Sequence, residues 1–165
     1  MSVDWLFGAG VILWLVAALV SLFIRGFGLA RLFLMAGCIV SGLGALFSLP
    51  DGSPAAHLPL GIAGLGTDFV LTPAAAWLLL FGLMAATLAT ALGTPANTGR
   101  QSWAFGAGMG LIGALGVFGV QDGISFLVAW ELMSLGGAVM ILGESLASDS
   151  GNPVLFMGRQ PERAP

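Results

Sequence analysis

Long apolar stretches separated by short polar segments dominate the chain. Five of them have about 20 residues, the length that crosses the hydrocarbon core of a bilayer as a helix. They cover approximately residues 5–24, 29–49, 73–92, 103–120 and 123–142. Because lipid offers no hydrogen bonds to the backbone, each stretch is expected to be helical. The pattern predicts an all-α, polytopic membrane bundle of about five transmembrane helices.

The longest connection, residues 50–72, lies between the second and third stretches. Two short apolar pieces, about Leu58–Ile62 and Phe69–Leu71, flank the turn signal GLGTD, which is typical of a hairpin. We therefore predict a small β-hairpin lying on the membrane surface. Thr72 followed by Pro73 favours the start of the third helix, because threonine caps an N-terminus and proline fits the first turn.

Composition identifies the chain as an integral membrane protein. Of its 165 residues, 58% are hydrophobic and 8% are charged, and the mean hydropathy is +1.00. A soluble domain carries about a quarter charged residues. All five cations are arginines, scattered along a chain with a net charge of −3, so the sequence has no basic patch and nucleic acid is excluded as a partner.

The arginines favour one orientation of the bundle. Arg25 and Arg31 flank the first turn, Arg100 lies between the third and fourth spans, and Arg159 and Arg163 lie in the tail. With five spans, all of these segments fall on one side of the membrane. Since basic residues accumulate in cytoplasmic loops, the N-terminus is predicted outside and the C-terminus inside. We expect a multi-pass protein of the inner (plasma) membrane.

The chain is expected to divide into a transmembrane bundle, residues 1–143, and a cytoplasmic tail, residues 144–165, that resembles the start of a sixth helix. Cys38 is the single cysteine and is interpreted as a small apolar filler of the second span. His57 is the single histidine. No metal site and no cofactor are therefore expected within this chain.

The fourth span contains a glycine-rich segment that matches a nucleotide-binding motif. Residues 108–113, GMGLIG, match the dinucleotide fingerprint G-x-G-x-x-G, but they lie inside an unbroken apolar run instead of between a strand and a helix. Small residues at helical spacing let helices approach closely in lipid. Gly106, Gly110 and Gly113 are therefore predicted to form a packing surface.

The fifth span contains one acid. Within FLVAWELMSL, residues 126–135, only Glu131 is charged. Nine apolar residues of this span contribute roughly −3 to −5 kcal/mol to insertion, whereas a central acid costs roughly 2.5–3.5 kcal/mol. Insertion is therefore marginal, and Glu131 is expected to face other helices or water. Ser134 follows one turn later on the same side and is expected to support it.

Two roles remain open for this glutamate. It could be protonated and bonded to a neighbouring helix, or it could be a proton-relay carboxylate, which we favour because intramembrane acids are usually functional. Two weaker candidates accompany it. Asp122 is either a proton access point or a helix-start acid stabilised by the helix dipole, and Glu144 either extends the relay or lies at the interface.

The segment DGISFLVAWELMSL, residues 122–135, resembles the fifth helix of antiporter-like, proton-translocating membrane subunits. These subunits occur in respiratory complex I, in multisubunit cation/proton antiporters and in membrane-bound [NiFe] hydrogenases. The resemblance is greatest to the hydrogenase-4 component B and formate hydrogenlyase branch. The family glutamate in an AWE–(L/M)MS context corresponds to Glu131. Residues 151–157, GNPVLFM, resemble the start of the next helix in that branch.

The resemblance implies that Glu131 pairs with a lysine two helices later and that protons move along a polar axis at mid-membrane. Family members have many more helices, and this chain contains no lysine. We therefore expect a truncated N-terminal part of a membrane subunit, within a hydrogenase or NADH dehydrogenase-like oxidoreductase complex. Its expected partners are the other membrane subunits, lipid and protons. The alternative is a vestigial or scaffold membrane protein that needs partner helices and has no catalytic role.

Overall fold

The computed structural model describes residues 4–23, 27–58, 66–93 and 101–150. It contains the helices α1 (Asp4–Phe23), α2 (Phe27–Phe47), α3 (Pro73–Leu92), α4 (Gln101–Gly119) and α5 (Gly123–Ser150). Two short strands, β1 (Ala56–Leu58) and β2 (Thr67–Phe69), lie between α2 and α3 along the chain. The side chains of residues 144–150 lie outside the described part.

Within the described residues, five helices are long and apolar enough to cross a membrane, which confirms the five predicted helices and is consistent with a multi-pass membrane protein. The apolar part of α5 ends at Gly143, close to the predicted boundary. The helix itself continues to Ser150, so the first part of the predicted tail is helical. Which side of the membrane each end faces stays a prediction.

The start of α3 follows the predicted capping pattern. The Thr72 hydroxyl accepts a hydrogen bond of 3.2 Å from the backbone N–H of Ala75, and Pro73 occupies the first turn. At the other end of α3, the Arg31 guanidinium at the start of α2 donates a hydrogen bond to the carbonyl of Ala91. This bond satisfies a carbonyl that the last helical turn leaves without a partner.

The predicted hairpin is also present, with different strand ends. β1 and β2 pair antiparallel, with Ala56 opposite Phe69 and Leu58 opposite Thr67. The first strand therefore begins before the predicted apolar piece, and the second includes part of the predicted turn GLGTD. The rest of the first apolar piece, residues 59–62, lies outside the described residues.

The hairpin packs against the helices and does not merely lie on the membrane surface. The ring of Phe69 is buried, and its centroid lies 5.7 Å from that of Phe7 in α1. The backbone N–H of Val70 donates a 2.8 Å hydrogen bond to the carbonyl of Gly119, at the end of α4. These contacts join the hairpin to α1 and to the α4–α5 turn.

Each helix lies beside a small number of neighbours. α1 packs against α2 and α4, and α2 also packs against α3. Within the described bundle, α5 packs extensively against α4. Between α1 and α2, glycines make room for larger groups: Gly37 lies against the indole of Trp14, which is fully buried. Cys38 is a buried free thiol beside this contact.

The α4–α5 contact is made by glycine backbones. A Cβ on Gly106 would lie 2.5 Å from the carbonyl oxygen of Gly136, and one on Gly113 would lie 2.7 Å from that of Ala129. Both separations are shorter than real Cβ contacts, so only glycine fits without movement. The GMGLIG segment lies inside α4, which begins at Gln101, and not at the N-terminus of a helix. The predicted packing role of these glycines is confirmed.

Two adjacent glycines of α5 provide a matched test of this contact. A Cβ on Gly136 would lie 2.5 Å from the backbone nitrogen of Gly110, whereas a Cβ on Gly137 would meet nothing within 4 Å. We expect Gly136→Ala to lower the free energy of unfolding by about 1–3 kcal/mol, because it forces the helices apart. Gly137→Ala should leave it unchanged or raise it by about 0.5–1 kcal/mol through reduced backbone entropy. Unfolding by SDS in mixed micelles, followed by circular dichroism, measures both. Equal effects would contradict the assigned contact.

Candidate functional site

The site is built on α5, and Asp122 fixes the start of that helix. Its Oδ1 accepts a 2.8 Å hydrogen bond from the backbone N–H of Ser125, as an N-cap does. Its carbonyl accepts from the N–H of Phe126 at 3.0 Å, which is the first bond of the helical ladder. The Thr67 hydroxyl in β2 donates to the second carboxylate oxygen. Asp122 therefore connects the hairpin to α5.

These bonds favour one of the two interpretations of Asp122. The backbone N–H of Ser125 contributes most, followed by the Thr67 hydroxyl, and together they lower the pKa of Asp122 to about 2. Hydrogen bonds to a carboxylate stabilise its charged form. A carboxyl group with this pKa is ionised at neutral pH, which suits a helix cap better than a site that takes up protons. Asp122 has the geometry of a helix-start acid.

The rotation of α5 is set by its contact with α4. The side that faces α4 carries Ala129 and Gly136, which are both buried. Only 11% of the residues in the α5 span are buried, compared with 33% in α1 and in α4. Among the described helices, α5 is the one with the most surface left uncovered.

Glu131 lies on this uncovered side. It is exposed in the described bundle, and Leu127 and Leu135, one turn before and after it, are each 60% exposed. Since a helix rises 1.5 Å per residue, Glu131 lies roughly 12 Å from the start of a span about 30 Å long. Within the described chain, no side chain bonds to its carboxyl group. The four other described helices leave this acid uncovered.

Ser134 shares the exposed side with Glu131, as the helical spacing predicts. Its hydroxyl donates a 2.9 Å hydrogen bond to the carbonyl of Trp130, one turn back in the same helix. The hydroxyl hydrogen is therefore not directed to Glu131. Glu144 is part of α5, but its side chain lies outside the described residues.

His57 has a partner that the sequence did not reveal. Its Nδ1 lies 2.8 Å from Oδ1 of Asp68, directly across the hairpin, and both side chains are exposed. The pair follows from the register of the two strands, and the sequence predicted the strands without a register. Among the described residues, no group of three His, Cys, Asp or Glu side chains could hold a metal ion.

The arrangement around Glu131 defines what the site can do. A carboxyl group at this depth can hold a proton or bond to a donor or cation supplied by another helix. It is placed where lipid would not stabilise its ionised form. The outward rotation could not be read from the sequence, because it depends on which glycines of α4 and α5 meet.

Comparisons with known proteins identify no family for the chain. No protein-family model, no curated protein and no solved structure was found that matches the chain.

The Asp122 geometry gives a pH-dependent expectation. Because folding lowers its pKa from 3.8 to about 2, its ionised form contributes stability above pH 4, and this contribution is lost as the pH falls from about 4 to 2. Asp122→Asn should reduce the slope of unfolding free energy against pH in that window. The same substitution at Asp51, an exposed residue of the α2–β1 connection, is the control. Denaturation in detergent at closely spaced pH values measures the slope. An unaltered slope in Asp122→Asn would refute the assignment.

Proposed function

We propose that the chain is the N-terminal part of a membrane subunit in a proton-translocating oxidoreductase complex of the hydrogenase-4 or complex I type. Glu131 is the residue that takes part in proton transfer. The redox chemistry belongs to other subunits of the assembly. The single observation that supports this proposal best is the position of Glu131, near mid-span and on a helix side that the described bundle leaves open.

The energetics of α5 support a partner on this side. If Glu131 faced hydrocarbon, it would cost roughly 2.5–3.5 kcal/mol on the insertion scale. A partner helix that brings a hydrogen-bond donor or a cation removes that cost. The flanking residues Leu127 and Leu135 are apolar and exposed, so they can pack against the same partner. An acid between two leucines is suited to a helix–helix interface that contains one polar contact.

The cation that the resemblance implies would come from that partner. The chain has no lysine, and Arg31, the arginine within the described residues, bonds to the carbonyl of Ala91 at the end of α3. Approach of a cation favours the ionised form of a carboxyl group, and its withdrawal favours the protonated form. Coupling of these two states to movement of the partner is the proposed mechanism of proton transfer.

The second candidate is a scaffold membrane protein without a catalytic role. The same open side of α5 favours it, because a surface that only joins helices would also leave Leu127 and Leu135 exposed in the isolated chain. In that case Glu131 makes one structural hydrogen bond to the partner. The two candidates differ in whether the proton on Glu131 exchanges during turnover.

Replacement of Glu131 separates the candidates. The protein is purified with its partners from its native membranes, reconstituted in vesicles and supplied with the electron donor that the assembly accepts. A pH-sensitive dye then measures proton uptake per electron transferred. We expect Glu131→Gln to reduce this ratio by about tenfold or more, because a relay needs a group that gains and loses a proton.

Two controls accompany this variant. Asp51→Asn makes the same acid-to-amide change outside the spans and should leave the ratio unchanged. The isolated Glu131→Gln chain should unfold like the original, since the described residues make no side-chain bond to Glu131. An unchanged proton-to-electron ratio would reject the relay role. If the purified protein and its partners transfer no electrons, the scaffold role is favoured.

The proposed orientation has its own test. In a Cys38→Ala background, single cysteines replace His57 and Arg100, which lie in connections on opposite sides of the third span. A membrane-impermeant maleimide added outside intact cells should label His57→Cys and not Arg100→Cys, because the hairpin is predicted outside. The opposite result would invert the topology, and labelling of both would contradict the number of spans.

A further inference from the structure

A groove of about 680 Å³ lies between α1 and α5, beside α4 and with the hairpin at one end. Its walls are almost entirely apolar, and they include Val11, Ile12, Leu115, Val128, Leu132 and Phe69. α5 packs extensively against α4 but not against α1. The groove between α1 and α5 is therefore open along its length. The groove does not include Glu131, which lies on another side of α5.

The depth of the groove identifies the class of occupant. Its lining extends from Asp4 to Ile12 on α1 and from Ile124 to Leu132 on α5. With a rise of 1.5 Å per residue, either wall is about 12 Å long. The hydrocarbon core is about 30 Å thick, so the groove covers the depth of a single leaflet. A transmembrane helix must pass through the whole core, whereas an acyl chain ends within its leaflet.

The end of the groove beside the hairpin carries one charged group. Asp4 is the charged residue of the lining, and its Oδ1 is buried with no hydrogen-bond partner. A buried acceptor without a donor is unfavourable. The other described acids at this end of the bundle are Asp51, Asp68 and Asp122, and no described arginine lies there. The electrostatics therefore favour a cationic donor at the level of the lipid headgroups.

We propose that this groove binds an acyl chain of a phospholipid whose headgroup carries a primary ammonium. The ammonium donates a hydrogen bond to the free oxygen of Asp4, and the acyl chain lies against the apolar walls towards Ile12 and Leu132. An ethanolamine headgroup meets this requirement. A choline headgroup has the same charge but no N–H to donate.

The acyl-chain part is tested by labelling with a phosphatidylethanolamine that carries a photoactivatable diazirine in its chain. The protein is placed in nanodiscs with this lipid, irradiated and digested, and the labelled peptides are identified by mass spectrometry. Label is expected on peptides of α1 and α5 that line the groove. Gly8→Leu should reduce this label by about threefold or more, because a side chain at Gly8 meets open space within the groove and occupies it.

The matched control is Gly82→Leu in α3. A Cβ on Gly82 also meets nothing within 4 Å, and this glycine lies outside the groove lining, so the label on α1 and α5 should persist. Val128→Trp fills the groove from the α5 wall and should act like Gly8→Leu. Because Val128 is 61% exposed, this second variant tests the groove without entering the core.

The headgroup part is tested by competition. Unlabelled phosphatidylethanolamine should displace the probe roughly tenfold better than phosphatidylcholine of the same chains, as expected for one charge-assisted hydrogen bond. Asp4→Asn should abolish this preference, and Asp51→Asn should preserve it. Equal competition by both lipids in the original protein would overturn the role of Asp4.

Two outcomes would overturn the acyl-chain assignment. One is undiminished label in both Gly8→Leu and Val128→Trp. The other is loss of a dimer in these two variants, measured by light scattering in detergent, while the lipid label persists. The latter result would assign the groove to a helix of a second copy.

Discussion

The backbone contact between α4 and α5 fixes which side of α5 is left open. Glycines at the crossing let the two helices approach so closely that a methyl group at Gly136 would already be too large. Once Gly136 faces α4, the helical repeat places Glu131 roughly 140° away around the axis. The outward position of the acid thus follows from the geometry of small residues elsewhere on the same helix, not from any preference of the carboxyl group itself.

The β-hairpin fixes the end of the bundle where α5 begins. β2 supplies Phe69 to the helix core and Thr67 to the carboxylate of Asp122. Backbone N–H and carbonyl groups of a connection need hydrogen-bond partners where water is excluded. The N–H of Val70 and the carbonyl of Gly119 are such partners, because the first donates to the second. Asp122 is thereby fully engaged, whereas Asp4, at the same end of the bundle, retains a free oxygen that a ligand can use.

The sequence was sufficient to predict the helices, because run length and the need for internal hydrogen bonds leave few alternatives in lipid. It also predicted the hairpin, from its turn residues, and the start of α3, from Thr72 and Pro73. It could not predict the rotation of α5, the bond from Thr67 to Asp122, or the pairing of His57 with Asp68. The first two depend on contacts between separate elements of the fold, and the third depends on a strand register that the turn residues do not fix. The proton-transfer role of Glu131 stays a prediction that originates in sequence resemblance.

The brevity of the α4–α5 turn bears on how the protein is made. Three residues separate Gly119 from Gly123, too few for one helix to remain outside while the other enters the bilayer. α4 has the lowest mean hydropathy of the five spans, 1.4, and α5 carries an acid. Each is therefore expected to insert into the bilayer less readily by itself than α1, whose mean hydropathy is 2.5. Packing of the glycine surfaces of α4 and α5 covers one side of each helix. We therefore expect the last two described helices to enter the bilayer together, as one helical hairpin.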